Sequence, residues 1–136
     1  MKTSATLLTL AMIATLSFSA NAQKPGAKAG MIEQNFKHEL NDTTFADRSA
    51  YVNATLQYYV NHPELDRVSI VETLLKLVRC DQSKETRFAA LLAVTVLNDE
   101  HLMSQLATKQ TTNLDEFAKL VNQEVGMRYF ANVSIK

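Results

Sequence analysis

Between Asp42 and Val125 the apolar positions return at steps of three and four residues, the spacing that draws one stripe along an α-helix. Phe45, Ser49, Val52, Leu56 and Tyr59 form the first stripe. It predicts a helix from about Asp42, capped by Asp42, Thr43 or Thr44 and ending near Asn61-His62-Pro63. Proline suits the first turn of a helix, so a second helix is expected from Pro63 to Arg79. Its stripe is Val68, Val71, Leu75 and Val78, with Ile70, Leu74 and Leu77 beside it. Cys80-Asp81-Gln82-Ser83 reads as a turn, and Ser83 as the cap of a third helix starting at Lys84. Phe88 to Leu97 holds one polar residue, Thr95, so this helix is expected to be the most buried element, with Leu92 surrounded on all sides. Val94 to Leu97 would also suit a strand, but the alanines and leucines before them favour helix.

Asp99 or Glu100 opens a shorter helix that turns Leu102, Met103 and Leu106 inward. Asn113-Leu114-Asp115-Glu116 has the form of a capping box, followed by the stripe Phe117, Leu120, Val121 and Val125. Gly126 is expected to end or loosen that helix. Residues 127–136 are read as a helix end and tail, although Tyr129, Ala131, Val133 and Ile135 alternate as a strand would. The pattern therefore predicts an all-α domain over residues 41–126, a small helical bundle of four to five helices.

The N-terminal pattern differs. Leu7 to Leu16 is an apolar core after a short, weakly basic start, and Ala20-Asn21-Ala22 has the A-x-A form of a cleavage site. Residues 1–22 are thus expected to be a cleaved signal peptide, with Gln23 beginning a mature chain in the periplasm or outside the cell. The apolar core is shorter than the roughly 20 residues that span a bilayer, and no membrane insertion of the mature chain is expected. Residues 23–40 hold two of the three glycines and read as a flexible tail, with room for a short helix between Met31 and Leu40.

Composition narrows the function. Removing 22 residues leaves 114, and losing Lys2 leaves 13 basic against 14 acidic side chains. A near-neutral chain without a basic cluster lacks the footprint of a nucleic-acid binder. The single cysteine, Cys80, cannot form an internal disulfide, so core packing must carry stability.

Little of the sequence points to catalysis. His38, His62 and His101 share no helix face and lack metal-ligand spacing, so no metal site is expected. Three glycines do not supply a phosphate-cradling loop or a dinucleotide fingerprint, and no cofactor is expected. Cys80 next to Asp81 would need a base such as His62 or His101 to be a nucleophile, and it reads better as a buried or half-buried structural cysteine. Asp99-Glu100 and Asp115-Glu116 stand where helix first turns favour negative charge. Tyr51, Tyr58, Tyr59 and Phe45 gather on the first helix, with Tyr58 off its main stripe; exposed aromatics can anchor a partner, but these read better as the half-buried end of a bundle.

Leu74-Leu75-Lys76-Leu77-Val78, then Asp81, Arg87, Ala89 to Val94 and Leu97-Asn98-Asp99, resemble one HEAT-type helical hairpin of the α-solenoid families. The match covers residues 74–99, lacks the usual turn proline, and does not recur at a period near 40. The resemblance implies a short α-solenoid-like array with a helical surface for proteins or peptides, in which Asp81 and Arg87 contribute to a polar ladder.

These readings converge on an exported, non-catalytic interaction or structural domain that binds an unidentified protein or peptide through a helical face. Tyr51, Tyr58, Asp81 and Arg87 are the candidate binding residues. The alternatives are a carrier of an apolar molecule or lipid in the cell envelope and, third, an enzyme dependent on Cys80.

Overall fold

A computed structural model describes residues 25–44 and 46–130. The signal peptide, the start at Gln23, the stripe position Phe45 and the tail residues 131–136 lie outside the described residues. Six α-helices and one π-helical turn make up the described chain, with no strand among them: α1 (Pro25–Asn41), α2 (Ser49–Asn61), α3 (Val68–Cys80), α4 (Lys84–Leu97), α5 (Glu100–Thr108), α6 (Leu114–Val125) and the π turn Gly126–Phe130. The fold is all-α, as the periodicity predicts.

The chain divides into two compact units with the boundary within α1, the second beginning at Phe36. Of the first unit, the described part is the opening of α1, which begins at Pro25 and is helical through Gly30, so the helix is longer than the short segment expected from Met31. Proline at the first helical position forfeits no hydrogen bond, because that amide has no partner in any helix.

In the second unit α4 is the central element, packed against α2, α3, α5 and α6. Leu40, Val52, Leu56, Tyr59, Val60, Ile70 and Leu74 share the buried core with Ala90, Ala93, Val96 and Leu97. Ala89, Ala90 and Ala93 let neighbouring helices approach α4 closely.

Three helices start by the same device, and two of them start later than the sequence suggests. The carboxylate of Asp47 accepts a bond from Ser49 N (2.9 Å), Asp66 from Val68 N (3.1 Å) and Asp81 from Ser83 N (2.8 Å). Each aspartate folds its own backbone two residues ahead. Asp42 does likewise with Thr44 (2.9 Å), so it closes a loop turn and α2 begins at Ser49. Pro63 likewise belongs to a turn, in which Leu65 N bonds His62 O, and α3 begins at Val68.

The remaining caps match the sequence more closely. Ser83 accepts from Thr86 N and Asp99 from Leu102 N. Asn113 accepts from Glu116 N, but Glu116 returns its carboxylate to the amide and hydroxyl of Thr112 instead of completing a capping box on Asn113. Gly126 keeps right-handed helical angles (φ −57°, ψ −47°), so α6 loosens into the π turn without a reversal.

Candidate functional site

Asp81 and Arg87, two of the sequence candidates, meet at the α3–α4 turn, and the fold uses both internally. Asp81 is buried, and its carboxylate forms an ion pair with the guanidinium of Arg48 besides holding Ser83 N. Arg48 also donates from Nη1 to Leu40 O (2.6 Å) at the end of α1, and its amide donates to Thr86 Oγ1 (2.8 Å) at the start of α4. Its Nε is buried without a partner. One arginine thus ties three segments together. Arg87 Nη1 donates to the backbone oxygens of Asp81 (2.6 Å) and Gln82 (3.2 Å), capping the end of α3.

Arg48 was not legible as a functional or structural residue. It sits in a loop, outside every apolar stripe, and its carboxylate partner is 33 residues away. The pairing Asp47-Arg48-Ser49 and Asp66-Arg67-Val68, with an aspartate two residues before each helix, is the one local signal that could have drawn attention to it.

Tyr51 and Tyr58 are seven residues apart on one face of α2, and both are half-buried against the core. The Tyr58 ring lies 5.5 Å from Phe36, 5.5 Å edge-on to Tyr59 and 4.6 Å from His62. Burial, with Glu64 nearby, raises its hydroxyl above the ordinary tyrosine pKa. This aromatic cluster fastens the end of α1 to the end of α2.

Cys80 is exposed at the last residue of α3, contrary to the expected burial. The helix stops there, and the chain turns Asp81 inward instead. A hollow of about 290 Å³ lies beside the thiol, bordered also by Thr43, Arg48 and Gln82. Among the described residues no histidine bonds Cys80, and His62 faces the Glu64 carboxylate at 3.5 Å. No cluster of three or more metal-ligating side chains occurs among the described residues.

A second polar cluster was missed by sequence reading. Asp99, the cap of α5, accepts from Arg128 Nε (2.5 Å) and Tyr129 Oη (2.7 Å), which anchors the π turn to the start of α5. The Tyr129 hydroxyl, then Leu102 N and Arg128, hold the Asp99 carboxyl at a pKa of about 2. In the same unit, buried Glu124 of α6 pairs with Lys109.

The outward side of α4 is where the chain departs most from expectation. Four sides of neighbours bury Thr86, Ala89, Ala90, Ala93, Val94, Val96 and Leu97, and the remaining arc carries Lys84, Phe88, Leu91 and Thr95 at steps of four, three and four. Phe88 stays 52% exposed and Leu91 50%. Leu92, beside them, is half-buried and not enclosed. The most apolar helix among the described residues therefore presents two large apolar side chains, one turn apart, to solvent. A hollow of about 720 Å³ at the other end of the α3–α4 pair is lined by Val68 and Val71 but also by Asp66, Arg67, Glu72 and Glu100.

The sequence matches no protein family, no curated protein and no solved structure.

Proposed function

We propose that this protein is an exported, non-catalytic interaction domain that engages a protein or peptide through the outer stripe of α4. The exposure of Phe88 and Leu91 carries this reading. Large apolar side chains held side by side in water oppose solubility, and such patches mark binding surfaces. An aromatic beside an aliphatic on a rigid helix is also a low-entropy anchor. The export half rests on the signal-like pattern of residues 1–22.

The stripe replaces the earlier candidates as the contact surface. Asp81 is committed to Arg48, Arg87 to backbone carbonyls, and Tyr58 to its ring neighbours. An apolar cargo has less support, since the 720 Å³ hollow carries four charged side chains. The exposure of Cys80 favours thiol chemistry, but no histidine lines the hollow beside it, and Asp81 there is paired with Arg48.

Chemical crosslinking in the native compartment, followed by pull-down, tests the proposal. The parent chain should carry crosslinked protein that Phe88→Asp loses while its helical content stays the same. Equal crosslinking of both would overturn it.

A further inference from the structure

The stripe on α4 borders a hollow, and the two together have the form of a self-complementary surface. A groove of about 270 Å³ runs where α4 meets α2 and α6, walled by Ala89, Leu92, Ala118 and the half-exposed ring of Phe88, with Ser49, Asn53 and Asn122 along its polar side. Ala89 and Ala118 leave the space, and Phe88 stands as its half-exposed wall, free to reach into the same space of a second copy. A two-fold interface requires both halves of each contact on one patch, because residue i of one copy meets residue j of the other and j meets i.

The charges obey the same rule. Glu85 stands on the α4 wall of this groove and Lys119 on the α6 wall, both exposed. Within the fold, Ser83 Oγ reaches the Glu85 carboxylate at 3.2 Å, and Lys119 acts on Glu116 one turn before it. A two-fold rotation about the groove carries the acidic wall onto the basic one. A groove rimmed by one sign would repel its own copy. The whole chain, with 14 basic and 14 acidic residues, adds no long-range repulsion.

We propose that the protein forms a two-fold homodimer in which Phe88 of each copy seats in the groove between α4 and α6 of the other, with Glu85 facing Lys119 across the axis. This inference rests on the reading of α4 as the binding surface and names its partner as a second copy of the chain.

Sedimentation of the full chain from about 1 μM to about 1 mM, the span of ordinary reversible association, reads the answer. A species of twice the monomer mass is expected in the parent. Phe88→Asp should be monomeric with an unchanged far-UV spectrum. Glu85→Lys and Lys119→Glu should each weaken the dimer about tenfold, since two rim pairs change from attraction to repulsion. Mixing the two charge variants should restore the parent affinity, because every altered side chain then meets its opposite. A parent that stays monomeric throughout, a dimer indifferent to Phe88→Asp, or a mixture no tighter than its components would overturn the dimer. The crosslinking contrast between parent and Phe88→Asp decides the interaction surface separately, whatever the oligomeric state.

Discussion

Asp81→Ala is the substitution that tests the internal architecture hardest. It removes the carboxylate from the ion pair with Arg48, whose side chain is 10% exposed and whose Nε is already without a partner. A buried charge stripped of its counter-ion costs about 3–5 kcal/mol, far more than the intact pair contributes. Loss of the acceptor for Ser83 N adds about 1 kcal/mol. Set against the ~5–15 kcal/mol that holds a domain of this size, the change removes much of the stability. At about 4–8 °C per kcal/mol, Tm should fall by at least ~12 °C. The double variant Arg48→Met with Asp81→Leu should recover a large part of the loss, because no charge is then left buried. Arg87→Ala should cost less than about 1.5 kcal/mol, since its bonds go to turn carbonyls at a partly exposed edge. Urea unfolding followed by circular dichroism measures all four proteins. Asp81→Ala within about 0.5 kcal/mol of the parent, the range of surface substitutions, would refute the reasoning.

Three further outcomes are expected. Ala90→Asp, at a position with no exposure, should abolish folding, whereas Leu92→Asp, on the wall of an open groove, should cost about 1–2 kcal/mol; thermal melts giving the opposite order would displace α4 from the centre. Gly126→Ala should stabilise by about 0.5–1 kcal/mol, because the glycine has helical angles and an added methyl meets nothing within 4 Å; a loss of stability in the same melt would contradict this. Asp99 titrates lower folded than unfolded, so its contribution is present above pH 4 and is lost as pH falls towards about 2. Tyr129→Phe removes the largest cause of that shift, and its stability should therefore fall less than the parent's between pH 4 and pH 2; parallel acid titrations of the two would count against the Asp99 cluster.

The helices were legible because burial imposes a period that the sequence records. Leu102, Met103 and Leu106, like Phe117, Val121 and Val125, are buried where their spacing places them. Ser83, Asp99 and Asn113 cap where their side-chain chemistry suggests. The beginnings of α2 and α3 were misplaced because Asp42 and Pro63 suit turns as well as helix starts, and local propensity alone does not separate the two. Burial of α4 was overestimated because an apolar sequence states what a helix could bury, not how many neighbours it has. Phe88 and Leu91 are apolar and exposed for that reason. The clusters Arg48–Asp81 and Asp99–Arg128–Tyr129 join residues 29 to 33 positions apart, and no periodicity encodes such pairs. Cys80 was expected inside from the habits of its residue type, but its place at the end of α3 governs its exposure.

Photo-crosslinking from single positions tests the central claim most directly. The exposed large apolar side chains of the second unit lie in three places: Phe88 and Leu91 on α4, Val68 at the start of α3, and Met127, Tyr129 and Phe130 in the π turn. With a photoreactive residue at 91, at 68 or at 127 in the native compartment, adducts are expected from position 91 and not from the other two. Adducts from 68 or 127 with none from 91 would contradict the assignment of α4 as the binding face.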